Sequence, residues 1–189
     1  VIIIGGGLAG LTNAIHLSKF KQQVLLIEKN SYPKHKVCGE YISNEVLPYL
    51  NSLGIDPIKE GAKQISKVQV STTKGNLIKG ELPLGGFGMS RYFLDSLLLK
   101  KALFNGVQVL KDSVDSIVFK KGVFTVQTKD SKSFQSKVTI GAFGKRSVLD
   151  QKMNREFIKK KSPYLAVKIH VKGDFPENLI ALHNFKGGY

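Results

Sequence analysis

The residues best suited to bind a nucleotide stand at the start of the chain, where an apolar run leads into a glycine-rich loop. Gly5, Gly7 and Gly10 form the pattern G-x-G-x-x-G directly after Val-Ile-Ile-Ile. The first glycine permits a tight turn, the second leaves room for a phosphate, and the third lets the next helix pack closely on the strand. The helix that begins near Leu8 then directs unpaired N–H groups at a bound anion. The pattern predicts a dinucleotide-binding loop.

A carboxylate follows at the spacing that this interpretation requires. A second apolar stretch, 24–27, ends in Glu28, which lies 18 residues after Gly10. This is near the roughly 20 residues at which an acidic side chain accepts hydrogen bonds from ribose hydroxyls. Glu28 favours a free 2′-hydroxyl, as in NAD or FAD, whereas Lys29 could tolerate a 2′-phosphate. This first unit alone does not separate NAD from FAD.

Three later segments carry a resemblance to a known family. They are 34–43, which reads KHKVCGEYIS, 88–98, which reads GMSRYFLDSLL, and 138–147, which reads VTIGAFGKRS. Together with the glycine loop they resemble the FAD-dependent oxidoreductases of the geranylgeranyl-reductase type, within the superfamily that also holds the aromatic-ring hydroxylases. The resemblance runs over nearly the whole chain, and it implies FAD as the cofactor.

The resemblance also implies roles for individual residues. Glu28 would bind the adenosine ribose, Arg91 would lie near the FAD pyrophosphate, and the loop of Cys38 would lie near the flavin ring. The implied cofactor-binding set is Gly5, Gly7, Leu8, Ala9, Gly10, Glu28, Lys29, Lys36, Arg91, Val114 and Gly144.

Three of these interpretations have structural alternatives. Cys38 is a weak catalytic candidate, because a buried structural thiol fits its position equally well. Arg91 and Asp95 are also spaced for an ordinary exposed ion pair along a helix. The neighbouring carboxylate Glu40 could steer protons or orient substrate near the flavin, but a surface or loop-bracing carboxylate is the favoured interpretation.

One position departs from the superfamily pattern. Where Gly-Ala-Asp-Gly is usual, this chain has Phe143 between Ala142 and Gly144. In the hydroxylases the aspartate touches FAD and the path of the nicotinamide donor. Phenylalanine accepts no hydrogen bond, so the sequence favours a reductase, or another electron donor, over direct NADPH-driven hydroxylation.

The predicted fold is α/β, a three-layer FAD-binding Rossmann-like domain with a partial β-rich substrate domain. We assign 1–60 and 88–160 to the FAD-binding domain, and 61–87 and 161–189 to the partial substrate domain. With 189 residues the chain is short for the family it resembles, and we expect it to be C-terminally incomplete.

Hydrophobic periodicity and turn residues predict the individual elements. The predicted helices are 8–20, 43–53, 90–104 and one around 149–161, and the predicted strands include 65–73, 76–82, 107–110, 138–142, 164–171 and 179–183. A hairpin is expected over 114–128, and the glycine-rich stretch 84–88 is expected to be neither helix nor strand.

The charge is strongly basic, with 29 Lys and Arg against 14 Asp and Glu and a net charge of +15. Such a surface attracts a dinucleotide or an acidic lipid surface. The lysines are scattered and lack interleaved aromatic residues, so no nucleic-acid partner is predicted. The densest basic stretch, in 152–161, could lie on a membrane surface, although such a helix more often packs on its own domain.

The chain has one cysteine, which rules out an intrachain disulfide, and its four histidines lack metal-ligand spacing. No metal site is predicted, and we expect a cytoplasmic protein with possible peripheral membrane contact. The predicted function is an FAD-dependent oxidoreductase acting on an apolar, isoprenoid or lipid substrate, with an unidentified electron donor. Two alternatives stay open: a flavin-dependent monooxygenase or halogenase, and a non-catalytic basic module that binds a dinucleotide or acidic lipid.

Overall fold

The structure is a computed structural model that describes residues 1–145, 147–160 and 163–189. Arg146 of the third resemblance segment, Lys161 of the basic stretch and Ser162 lie outside the described residues. The chain divides into two compact units, the first formed by 1–35 and 95–166 and the second by 36–94 and 167–189.

The described residues contain strands and helices that alternate at first and then give way to consecutive strands. The strands are β1 (Ile2–Ile4), β2 (Leu25–Glu28), β3 (Tyr41–Ser43), β4 (Lys63–Ser71), β5 (Leu77–Gly88), β6 (Gln108–Lys111), β7 (Val114–Lys120), β8 (Val123–Thr128), β9 (Ser133–Ser136), β10 (Thr139–Gly141) and β11 (Leu179–His183). The α-helices are α1 (Leu8–Lys19), α2 (Leu47–Ser52), α3 (Arg91–Phe104) and α4 (Val148–Lys152), with 3₁₀ turns at Asn44–Val46 and Glu156–Lys159.

The first unit is built on a parallel sheet with strand order β10-β1-β2-β6. Alternate residues of a strand point to opposite faces, so both faces of this apolar sheet must be covered. Helix α1 lies against β1 and β2 and buries Leu11, Ala14 and Ile15. The antiparallel sheet β7-β8-β9 covers the other face, where Val126 joins a cluster with Ile2, Ile4, Ile27 and Leu149. The result is a three-layer arrangement of helix, parallel sheet and antiparallel sheet.

The second unit is built on a mixed sheet with strand order β11-β4-β5-β3. Strand β5 pairs antiparallel with both β3 and β4, whereas β11 pairs parallel with β4. Residues 36–60 and 88–94 belong to this second compact unit. The sequence analysis predicts these residues in the FAD-binding domain. The assignment of a function to each unit stays a prediction.

The predicted end of the strand at residue 82 is wrong, because β5 runs on to Gly88. Residues 86–88 of β5 pair with β3 on one side and with the start of β4 on the other. A Cβ at Gly86 would overlap the ring of Tyr41. Glycine is therefore compatible with a strand here because it makes room for a neighbouring side chain, although it weakens strand propensity.

Two further predicted elements differ from the structure. The single helix expected around 149–161 is a five-residue α4 followed by a 3₁₀ turn, because Asn154 has φ +52° and interrupts the helix. Residues 164–171 alternate in hydrophobicity, but no strand is assigned there. Alternation alone does not supply the neighbouring strand that a ladder requires.

Candidate dinucleotide-binding site

The turn after β1 depends on the first glycine of the motif. Gly5 has φ +104°, and its N–H donates to the carbonyl oxygen of Ile27 at 2.8 Å. A Cβ at Gly5 would overlap the backbone carbonyl of Ala142. Both the left-handed backbone and the close approach of another segment therefore require glycine at this position.

The third glycine sets the distance between helix α1 and the loop. A Cβ at Gly10 would overlap the carbonyl oxygen of Gly5, so the missing side chain allows the close packing that the motif predicts. Gly7 is the N-cap of α1 and makes no side-chain capping bond. The first N–H groups of a helix lack acceptors within that helix, so the start of α1 presents backbone donors beside the glycine loop.

Glu28, at the end of β2, is predicted to bind the adenosine ribose, and the glycine loop holds its carboxylate in place. Its Oε2 accepts the Gly6 N–H at 2.6 Å. Its Oε1 accepts the backbone N–H of Asn30 at 2.8 Å and the Asn30 side-chain amide at 2.6 Å. Partial burial alone would raise the pKa of Glu28, but these hydrogen bonds and the charge of Lys34 outweigh it and lower the pKa below its ordinary value. Glu28 is therefore a fixed carboxylate at neutral pH.

Tyr32 is a member of this site that the sequence did not reveal. Its hydroxyl donates to the carbonyl oxygen of Gly6, and a Cβ at Gly6 would overlap that hydroxyl. Burial raises the pKa of Tyr32, and the charges of Glu28 and Asp95 raise it further, so the hydroxyl stays protonated as a donor. The one local signal was the Gly5-Gly6-Gly7 run, in which Gly6 is not required by the motif.

These residues fit the adenosine and phosphate part of a dinucleotide. The uncapped start of α1 offers donors for phosphate, and the second lone pair of Glu28 Oε2 is available to a ribose hydroxyl. FAD is consistent with this set, in which α1 would hold the pyrophosphate and Glu28 the ribose.

The other predicted cofactor contacts of the first unit are Lys29, Val114 and Gly144. Lys29 is exposed beside Glu28, Val114 begins β7 half-buried, and Gly144 has φ +73° on the surface. Phe143 packs against the apolar cluster of the first unit. The residue that replaces the superfamily aspartate therefore contributes to the core, and its role toward FAD stays a prediction.

In the second unit, Glu40 connects three segments. Its Oε1 accepts the backbone N–H of Arg91 at 2.7 Å and also an ammonium hydrogen of Lys168, and its Oε2 lies 3.6 Å from His170 Nε2. Burial would raise the pKa of Glu40, but Lys168, the Arg91 N–H and His170 outweigh that effect and lower it. The expectation that Glu40 braces its loop agrees with these contacts, whereas Lys168 was missed because 128 residues separate the two.

Glu40 also links Cys38 to Arg91. The Glu40 N–H donates to Cys38 Sγ at 3.4 Å, while its carboxylate receives the Arg91 N–H. Cys38 is a free, half-buried thiol, and Lys36 is half-buried in the same loop. The structure thus brings Cys38 and the first residue of α3 to one residue, Glu40, through its backbone N–H and its carboxylate respectively.

Helix α3 begins where its capping residue predicts. The Phe93 N–H donates to Ser90 Oγ at 3.2 Å, and the helix ends at Phe104 before Gly106, which has φ +82°. Asp95 is 1% exposed, so it is not the exposed carboxylate of an ordinary ion pair on a helix surface. The role of Arg91 toward the cofactor stays a prediction.

Neither a metal-binding cluster nor a membrane-spanning helix is found among the described residues. Over 1–145, 147–160 and 163–189, no group of three or more His, Cys, Asp or Glu side chains is arranged to hold a metal ion. Across the same residues, no helix has both the length and the apolar composition needed to cross a bilayer.

The sequence of residues 1–154 matches the family described as pyridine nucleotide-disulphide oxidoreductase. The chain belongs to this family. The match covers the glycine loop, Glu28, the Cys38 loop and α3.

Individual relatives are similar over much of the chain. A 1H-pyrrole-2-carbonyl-(peptidyl-carrier protein) brominase of Pseudoalteromonas luteoviolacea is 29% identical over 183 residues, which are 92% of this chain and 45% of that protein. Digeranylgeranylglycerophospholipid reductase 2 of Methanothermobacter thermautotrophicus is 31% identical over 126 residues, 65% of this chain and 32% of that protein.

Among solved structures, p-nitrophenol 4-monooxygenase of Pseudomonas putida shares the fold with a TM-score of 0.72 at 18% identity, over 80% of this chain and 42% of that one. The chain spans less than half the length of each of these three proteins. The predictions of an α/β FAD-binding Rossmann-like fold, of FAD as cofactor and of an FAD-dependent oxidoreductase as the class of enzyme are confirmed. An enzyme of this class acts with a substrate and an electron donor or acceptor.

Proposed function

We propose that the protein carrying this chain is an FAD-dependent oxidoreductase of the geranylgeranyl-reductase type, acting on an apolar isoprenoid or lipid substrate. The observation that carries the reductase assignment is Phe143, a half-buried apolar residue that packs against the core at the position where the hydroxylases have aspartate. The relationship to a digeranylgeranylglycerophospholipid reductase supports the substrate class.

In this proposal the residues of the site bind FAD or hold the groups that bind it. The start of α1 binds the pyrophosphate, Glu28 binds the adenosine ribose, and Tyr32 holds the Gly6 peptide of the loop in place. Arg91 contributes a planar donor to phosphate oxygens, and Glu40 fixes its backbone. Bound FAD would supply the redox chemistry, in which hydride is added to one carbon of a carbon–carbon double bond as the other gains a proton, or is removed from a saturated carbon in the reverse sense.

A second candidate function is a flavin-dependent monooxygenase or halogenase. It is favoured by the brominase relative, whose similarity extends over 92% of the chain. In that case the Cys38 loop and α3 would serve the same cofactor, but oxygen would be consumed together with the organic substrate.

The visible absorption spectrum of the purified full-length protein tests the cofactor first. Flavin bands that co-purify with the protein are the expected result, and a protein that takes up no added FAD would contradict the proposal. Turnover of a panel of isoprenoid lipids is then followed under anaerobic and aerobic conditions with a chemical reductant. Anaerobic loss of substrate double bonds supports the reductase, whereas turnover coupled to oxygen uptake supports the second candidate. Flavin reduction without turnover of any lipid would favour a non-catalytic binding module.

A further inference from the structure

The ends of helices α1 and α3 expose large apolar side chains that the dinucleotide site does not use. Phe20 is 67% exposed, Leu103 is 51% exposed and Phe104 is 84% exposed. Ser18 Oγ and Asn105 Nδ2 are 3.3 Å apart, which brings the two helix ends together. Large exposed apolar side chains at two adjoining helix ends are the kind of feature that marks an interaction surface.

Three lysines lie at the same two helix ends, and one of them contacts a phenylalanine ring. Lys21 and Lys100 are exposed, and Lys101 Nζ lies 5.3 Å from the centroid of the Phe104 ring. We call Phe20, Leu103 and Phe104, together with Lys21, Lys100 and Lys101, the helix-end patch. Its composition combines large apolar side chains with positively charged lysines.

Carboxylates are missing from the segments that form the patch. Residues 1–27 and 96–111 contain no Asp or Glu. A cavity of about 310 Å³ opens beside Gln23 and Gly106 in the same unit, and none of its lining residues is acidic. The positive charge of the patch is therefore not neutralised by neighbours in these segments, and it favours a partner with negative charge.

From these observations we propose that the helix-end patch docks the protein on an anionic lipid bilayer surface, with the phenylalanine rings entering the interface and the lysines contacting lipid headgroups. Aromatic and aliphatic residues beside Lys form the usual composition of an interfacial anchor. The two rings, exposed by 67% and 84%, favour a bilayer over a purely electrostatic partner, because a bilayer offers an apolar phase beneath its charged headgroups.

The position of the patch separates it from the proposed flavin chemistry. The glycine loop precedes α1, whereas Phe20 follows its last residue, and a helix of 12 residues is about 18 Å long. Docking through the patch therefore leaves the start of α1 to the dinucleotide. The inference goes beyond the proposed function and does not depend on it.

The test is co-sedimentation of the full-length protein with vesicles of equal parts phosphatidylcholine and phosphatidylglycerol, and with phosphatidylcholine vesicles. We compare the native protein with a Phe20→Ser/Phe104→Ser variant and a Lys100→Glu/Lys101→Glu variant. The matched control is Phe119→Ser/Lys120→Glu at the β7–β8 hairpin, where Phe119 is 60% exposed and Lys120 is also exposed. Thermal unfolding and flavin absorbance verify that each variant retains its fold and cofactor.

We expect binding to the anionic vesicles only, at least about tenfold weaker binding in both patch variants, and little change in the control. Retention on heparin should fall in the lysine variant but not in the phenylalanine variant, because heparin has no acyl chains. The proposal is overturned if anionic vesicles are not bound. It is also overturned if the control weakens binding as much as the patch variants, or if the phenylalanine variant binds vesicles normally. Loss of flavin would bear on the proposed function alone.

Discussion

The N–H of Gly6 donates to a carboxylate oxygen of Glu28 at 2.6 Å, joining the loop after β1 to the end of β2. The carboxylate expected to bind ribose therefore also fixes the middle of the glycine loop. Its other oxygen is held by Asn30, so neither the loop nor the carboxylate has to be ordered by a ligand. This arrangement lowers the entropic cost of dinucleotide binding, because the loop and the carboxylate are already ordered.

The Glu28 contacts predict a pH-dependent contribution to stability. The pKa of Glu28 is lowered in the folded protein, relative to about 4.3 for an unfolded glutamate. The ionised form therefore stabilises the fold above that pH, and the contribution disappears as the pH falls through the folded pKa. Denaturant unfolding at a series of pH values should show Glu28→Gln less stable than the native protein at pH 7, with the difference shrinking in acid. Glu60→Gln, at an exposed carboxylate, is the control. A difference that is constant with pH would contradict the prediction.

Gly7 and Gly5 should respond differently to substitution. Gly7 has φ −81° and ψ −171°, an extended conformation that other residues adopt, so Gly7→Leu should fold but lose dinucleotide binding because its side chain enters the phosphate space. Gly5→Ala should lose stability as well, because Gly5 has φ +104° and no space for a Cβ. Unfolding curves and FAD titration measure the two effects. Normal flavin retention in Gly7→Leu would remove the loop from the cofactor site.

Tyr32 and Gly6 should be energetically coupled. Gly6→Ala should destabilise the protein because its Cβ would overlap the Tyr32 hydroxyl, and the cost should be smaller when Tyr32 is already alanine. A double-mutant cycle on the free energy of unfolding should give a coupling of about 0.5 to 3 kcal/mol. Strict additivity of the two substitutions would show that the overlap is relieved without cost.

Glu40 should contribute more to stability than an exposed ion pair does. Its side chain is 18% exposed and that of Lys168 is 15% exposed, so Glu40→Ala leaves a mostly buried ammonium without its carboxylate. We expect a loss of about 1 to 3 kcal/mol in the free energy of unfolding, partly recovered by adding Lys168→Met. The control is Glu177→Ala, whose pair with Lys63 is exposed by 63% and 75% and should change stability by less than about 1 kcal/mol. Equal losses in Glu40→Ala and Glu177→Ala would contradict this prediction.

Arg91 is predicted to serve the cofactor. Arg91→Ala should weaken FAD binding by about tenfold or more, which corresponds to about 1.4 kcal/mol, and Arg91→Lys should restore only part of it because lysine lacks the planar pair of donors. Since Asp95 is buried, Asp95→Asn rather than alanine is the comparison, and it should leave FAD affinity nearly unchanged. Fluorescence titration with FAD measures all three. Small, equal effects of Arg91→Ala and Asp95→Asn, seen in thermal stability alone, would leave Arg91 as a residue of the helix surface.

The sequence by itself determined the elements whose signals are local. The apolar run, the glycines and Glu28 predict β1, α1 and β2, and Ser90 with Asn105-Gly106 predicts α3 almost to the residue. These signals are backbone requirements and periodicities that act within a few residues, so a single sequence displays them.

The tertiary structure alone decided which distant side chains meet. Tyr32 lies on Gly6, Glu40 meets Lys168 from 128 residues away, and the glycines of 85–88 continue β5 because β3 and β4 flank them. No local pattern contains these partners, because such a hydrogen bond or strand pair forms only when folding brings two distant segments of the chain together. The loop that binds a dinucleotide is therefore visible in the sequence, whereas the side chains that hold it are not.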